Sequence, residues 1–204
     1  MFCSLNGALL PIEQASVPVS DRGFLYGETL FETMRAQGCS IALWPAHAAR
    51  LRASADRLGF VIACSDAELF ERCRAVIAAN DLPRALVRLT LSRGATVLVT
   101  TQAVPGHFAV KARAGYRVGV SRWEKPSHRA WPLFAKTGNY LNSILALQSV
   151  AEGMDEAILF DDEGMLAEGS FSNVFVVRGG ALLTPALPRC LPGVARQAVQ
   201  ACAR

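Results

Sequence analysis

Residues 134–142 read Phe134-Ala135-Lys136-Thr137-Gly138-Asn139-Tyr140-Leu141-Asn142, and this stretch decides the reading of the chain. A lone lysine follows an apolar pair and precedes a glycine and a helix start. Most lysines stay in water, so an exposed side chain is the ordinary expectation for Lys136. Burial would favour the neutral amine and make it a usable nucleophile. A second stretch, Leu166-Ala167-Glu168-Gly169-Ser170-Phe171-Ser172-Asn173-Val174, ends an apolar strand on a glutamate followed by small residues. A carboxylate placed there suits a cationic ring nitrogen, although a solvated turn glutamate fits the same pattern. A third, Leu191-Pro192-Gly193-Val194-Ala195-Arg196, leads a glycine into a helix, where free N–H groups can meet an anion. Pro-Gly is also an ordinary way to open a helix.

Working outward, the 204 residues carry 21 Lys+Arg against 17 Asp+Glu, and 51% of them are apolar. That balance excludes a disordered or collagen-like chain and supports one large domain or two small ones. A net charge of +4 with scattered arginines leaves no nucleic-acid footprint. Met1-Phe2-Cys3-Ser4-Leu5-Asn6-Gly7 lacks the pattern of a signal peptide, and no apolar run reaches the ~18 residues of a membrane span. The cysteines at 3, 39, 64, 73, 190 and 202 form no C-x-x-C, and the histidines at 47, 107 and 128 are far apart. Reduced thiols in a cytoplasmic protein without a metal site are therefore expected.

Local patterns predict the elements. Asn6-Gly7 turns a hairpin over 2–10. Ser20-Asp21-Arg22-Gly23 reads as a turn, 30–36 as a strand and 41–43 as another. A helix opens near Pro45 with Ala48, Leu51, Ala55 and Leu58 as its apolar stripe, and stops at Gly59. Ser65-Asp66-Ala67-Glu68 is a capping box for the next helix. Strands follow at 86–92 and 97–101. Residues 103–115, with Pro105, Gly106 and Gly115, are the best linker candidate. Beyond them come a strand at 116–121, a loop through Pro132 and a helix at about 140–152. Short strands at 156–161, 165–168, 174–177 and 181–184 precede a last helix after Gly193. The order describes a two-part α+β chain.

The three stretches occur together and in order with Asp21-Arg22-Gly23-Phe24-Leu25-Tyr26-Gly27-Glu28-Thr29-Leu30-Phe31-Glu32-Thr33. In that combination the sequence resembles the class-IV aminotransferases, the pyridoxal-phosphate enzymes of fold type IV. The family includes branched-chain and D-amino-acid aminotransferases and aminodeoxychorismate lyases. The resemblance implies a small N-terminal α/β domain over 1–110 and a larger cofactor-binding domain over 111–204. The family pattern continues beyond Arg204, so part of the larger domain is expected to be missing. It implies pyridoxal 5′-phosphate as cofactor and a homodimer acting on a small amino-acid substrate, with neither nucleic acid nor membrane as partner.

The resemblance also implies roles. Lys136 forms the internal aldimine and shuttles a proton between the substrate Cα and the cofactor. Glu168 keeps the pyridine nitrogen protonated, Tyr140 lies near the cofactor's phenolic oxygen, and Arg50 binds its phosphate with the backbone of Gly193, Val194 and Ala195. Phe31, Thr33 and Arg35 are candidates for contact with substrate. The chain departs from the family pattern at Ala195, where many members carry a hydroxyl, and after Ser92-Arg93-Gly94, where a long loop is replaced by Ala95-Thr96-Val97. Three functions are weighed: amino transfer between an amino acid and a 2-oxo acid, lysis of 4-amino-4-deoxychorismate to 4-aminobenzoate and pyruvate, and an inactive cofactor-less scaffold.

Overall fold

The computed structural model describes residues 1–203, which divide into two compact units. One comprises Met1–Gly106 with Lys136–Asn139, and the other His107–Ala135 with Tyr140–Arg204. Lys136–Asn139, counted above with the cofactor-binding part, thus belongs to the first unit.

The first unit is built on an antiparallel sheet. Strands β1 (Phe2–Leu5) and β2 (Ala8–Pro11) form a hairpin turned by Asn6 and Gly7. Both turn residues have positive φ, 52° and 94°, as the tight turn requires. Helix α1 (Arg22–Tyr26) is five residues long and leads into β3 (Thr29–Gln37). Strand β4 (Ser40–Ile41) is brief, because Leu43 takes φ 56° and leaves the extended region. Helices α2 (Trp44–Leu58) and α3 (Asp66–Asn80) follow, then β5 (Arg84–Ser92) and β6 (Val97–Ala103). The spatial order is β2-β1-β6-β5-β3-β4. Alternation along β3 sends Leu30, Glu32, Met34 and Ala36 to the buried face, with α2 packed on that strand. α3 packs on β1 and β6 through Leu69, Cys73, Val76 and Ile77. The capping box at Ser65 and Glu68 is formed as expected.

Two expectations need correction here. Residues 20–23 do not form a simple turn: the Asp21 side chain caps α1 by accepting the Gly23 N–H at 2.7 Å. Nor is 103–115 an irregular linker, since His107–Ala114 forms helix α4, which closes at Gly115 with φ 85°. Its alanines, Lys111 and Arg113 are good helix formers. None of its residues is buried, so it leaves no amphipathic stripe in the sequence.

In the second unit β7 (Val118–Val120) pairs in parallel with β8 (Glu156–Phe160), and β9 (Leu166–Gly169) pairs antiparallel with β8. Helix α5 (Leu141–Gln148) is shorter than the pattern suggests and covers β8. Ala146, Ala157 and Leu159 form the buried contact. Strands β10 (Val176–Arg178) and β11 (Ala181–Leu183) form a hairpin, and α6 (Val194–Cys202) follows Gly193.

Asp21 ties the first unit together beyond its capping role. Its carboxylate is 6% exposed and accepts the hydroxyls of Ser92 at 2.6 Å and Thr96 at 2.7 Å. Burial alone would raise this carboxyl, but the hydrogen bonds from Ser92, Thr96, Gly23 and Phe24 outweigh it and hold it below its ordinary value. The bonds therefore stabilise the fold fully above the unfolded value of ~3.9, and that stabilisation is lost as the pH falls through the lower folded value. Asp21→Ala is expected to lower stability at pH 7 by about 1–3 kcal/mol, because it orphans buried donors. Urea titration at pH 7 and pH 3 checks this, and the gap between variant and parent should narrow at the lower pH.

Candidate active site

In the first unit the Lys136 segment lies along β3. The Phe31 N–H donates to the Lys136 carbonyl at 3.0 Å, the Gly138 N–H donates to the Thr29 carbonyl at 3.0 Å, and Thr137 bridges Leu30. Backbone pairing of this kind fixes where the Lys136 stem leaves the chain. Its Nζ lies 4.7 Å from the centre of the Phe31 ring, and the side chain is half-buried. Phe31 is 3% exposed, with the Arg88 guanidinium 3.6 Å from its ring centre. Thr33 and Arg35 follow Phe31 on the same face of β3, exposed, opposite Arg88 and Leu86 of β5. The structure thus brings the amine and the three substrate candidates to one strand.

Arg50 belongs to the other face. Its Nε donates to Glu32 Oε1 at 2.8 Å and its Nη2 to Oε2 at 2.5 Å. His47 Nδ1 lies 2.6 Å from the same Oε2. Glu32 is 2% exposed. Desolvation would raise its carboxyl, but His47 and Arg50 outweigh it and hold it below the usual range. A bidentate carboxylate is the strongest way to orient a guanidinium. Glu32 and His47 were not singled out from sequence. The signal was present, since Glu32 occupies an inward position between Leu30 and Met34, and an inward charge demands a partner.

The second unit holds the other candidates. Glu168, near the end of β9, is 6% exposed. Its Oε2 accepts the Leu191 N–H at 2.9 Å and the Asn173 side-chain amide at 3.4 Å. Its Oε1 pairs with Lys125 Nζ at 2.5 Å. Asn173 also donates to the Leu191 carbonyl at 3.0 Å. A Cβ on Gly193 would collide with the Asn173 amide oxygen, so the backbone entering α6 sits against the group that braces Glu168. No side chain caps α6 at Gly193. Val194 is buried and Ala195 exposed. Tyr140 immediately precedes α5, with its ring 5.6 Å from that of Phe171. The turn after Glu168 is gathered by Glu156, which accepts the Ser170 N–H at 2.9 Å and the Ser172 hydroxyl at 2.8 Å. Lys125 lies in an irregular loop with no sequence periodicity to mark it.

Glu32→Ala would leave the Arg50 guanidinium without its carboxylate in a largely buried place. A loss of about 3–5 kcal/mol in unfolding free energy is expected, measured by chemical denaturation. Glu32→Asp should recover part of it.

Comparison with known proteins supplies the family. Residues 29–204 match the family described as amino-transferase class IV. The branched-chain-amino-acid aminotransferase of Salmonella typhimurium is 33% identical over 215 residues, covering 95% of this chain and 70% of that one. The crystal structure of the Escherichia coli branched-chain amino acid aminotransferase superposes with a TM-score of 0.91 at 30% identity, over 99% of this chain and 73% of that one. The branched-chain aminotransferase of the thermophilic archaeon Thermoproteus uzoniensis, solved with norvaline, gives 0.90 at 30% identity, over 100% and 74%. A further solved branched-chain amino acid aminotransferase, complexed with N-(5′-phosphopyridoxyl)-L-glutamate, gives 0.89 at 32% identity, over 99% and 72%. Among the described residues no helix is long and apolar enough to cross a membrane. The chain belongs to the class-IV aminotransferases.

Proposed function

We propose that this chain is a pyridoxal-phosphate-dependent aminotransferase that moves an amino group between a branched-chain amino acid and a 2-oxo acid. The observation that carries the reading is the amine of Lys136, fixed by backbone pairing with β3 and lying over Phe31. The relatives' names supply the substrate class, and the phosphopyridoxyl complex of one of them supports the cofactor.

The residues present fit that cofactor. A half-buried lysine offers an amine, and a buried, braced carboxylate at Glu168 offers a partner for a ring nitrogen. The uncapped start of α6 offers amide donors to an anion. Bound pyridoxal phosphate supplies an aldehyde that exchanges amines and a ring that takes up the electron pair left when a Cα–H bond breaks.

The chain's own residues do the rest. Lys136 would hold the cofactor at its aldehyde through Nζ, and the same amine would accept and return the proton at the substrate Cα. Glu168 keeps a proton on the ring nitrogen. Arg50 and the amides of Val194 and Ala195 bind phosphate, and Tyr140 serves the phenolic oxygen. Phe31, Thr33 and Arg35 face the substrate. We assign a second copy of the chain as its partner and the cytoplasm as its compartment, in keeping with six free cysteines.

Borohydride reduction after reconstitution should fix the cofactor on the peptide containing Lys136, seen by mass spectrometry, and Lys136→Ala should lose the adduct. Transfer from leucine to a 2-oxo acid should fall at least about a thousandfold in that variant. Retained turnover would reject Lys136 as the nucleophile. Pyruvate release from aminodeoxychorismate alone, with no 2-oxo acid present, would replace this reading with the lyase.

A further inference from the structure

We infer that Lys125 is a positioning residue for the reaction: its ammonium holds Glu168 as an oriented carboxylate, ready for the ring nitrogen. The inference rests on the reading that Glu168 serves that nitrogen.

The geometry is that of a built pair. Both side chains are shielded, 15% exposed for Lys125 and 8% for Glu168, and they meet at 2.5 Å. The Lys125 N–H donates to the Phe160 carbonyl at 2.8 Å, so its backbone is pinned at the end of β8. Leu159 of β8 stands opposite Glu168 of β9. One strand pair therefore sets the distance between cation and carboxylate. A buried carboxylate is costly unless it is paired and hydrogen-bonded. The Leu191 N–H and the Asn173 amide satisfy Oε2 without supplying charge. Lys125 delivers a full positive charge onto Glu168 at hydrogen-bond distance. Cys190 lies close enough to Glu168, Lys125 and Arg196 to feel the charge of each. Burial, and then the charge of Glu168, push the Cys190 thiol up, while Arg196 and Lys125 draw it down. A thiol kept protonated brings no charge to Glu168. Arg196 spends its donors on Thr184, Gln200 and the Pro185 carbonyl.

Two consequences follow for the cofactor site. Both oxygens of the carboxylate are engaged before any ring arrives, and its plane is fixed from both sides. Without the ammonium, Oε1 would lose its charged partner, and the carboxylate could turn away from the ring.

The test uses the full chain reconstituted with pyridoxal phosphate, in parent, Lys125→Met, Lys125→Arg, Glu168→Gln and the double variant Lys125→Met/Glu168→Gln. Cofactor affinity is read by titration, and the visible band of the bound cofactor is followed against pH. Lys125→Met should weaken cofactor binding about tenfold and alter the visible band of the bound cofactor, because the carboxylate is no longer held in place. Lys125→Arg keeps the charge and should restore both. In the double variant the loss of Lys125 should add nothing to Glu168→Gln. Should Lys125→Met fail to fold, the double variant, which buries no lone charge, and Lys125→Arg still decide the matter through their spectra. If Glu168→Gln changes the spectrum while Lys125→Met does not, or if the two losses simply add, the inference is overturned and the wider reading stands. If Glu168→Gln itself leaves affinity and spectrum unchanged, it is the role of Glu168 that fails.

Discussion

A strand offers two faces and two edges, and β3 uses all four. One edge is filled by β5 along its length, and the other by β4 at one end and the Lys136 segment at the other. One face enters the helix-covered core, and the opposite face carries Phe31, Thr33 and Arg35. The period of two means that a slip of one residue would exchange Glu32 for Phe31 and bury the wrong set. The position of the amine in the first unit follows from that register. Lys136 is placed by main-chain bonds to a strand whose own register is set by a buried apolar pattern, more than by side-chain preference.

The two units handle buried carboxylates alike. Glu32 is matched by Arg50 and His47, and Glu168 by Lys125 and a backbone amide. In each case a charge drawn out of water is compensated by a cation, and the pairing restricts a side chain proposed for the cofactor, Arg50 in the first unit and Glu168 in the second. Such pairs contribute little net stability compared with apolar residues of the same volume. Their worth lies in fixing orientation, which chemistry at a bound cofactor requires.

Much of the architecture was legible because its elements carry strong local signals. Asn6-Gly7, the Ser65–Glu68 box, Gly59 and the alternation along β3 and β5 each name a conformation by themselves. The elements that escaped have weak signals for physical reasons. Helix α4 buries no face, and α1 is a single short turn of chain whose cap depends on Ser92 and Thr96, residues far away in sequence. At the site, Lys136 and Glu168 stood out from their neighbours in sequence. Lys125 did not, because what places it is the Phe160 carbonyl, thirty-five positions on. Partnerships set by tertiary structure leave no periodicity to read.

Gly138 packs against Thr29 so closely that a methyl group on its Cα would overlap the threonine hydroxyl. Positions 29 and 138 therefore share one fixed allotment of space. Across diverging sequences the two sites are bound to change in concert, a larger residue at one being tolerated only alongside a smaller one at the other. A larger side chain at 138 alone would lift the lysine-bearing segment from its neighbour, two residues away from Lys136 itself.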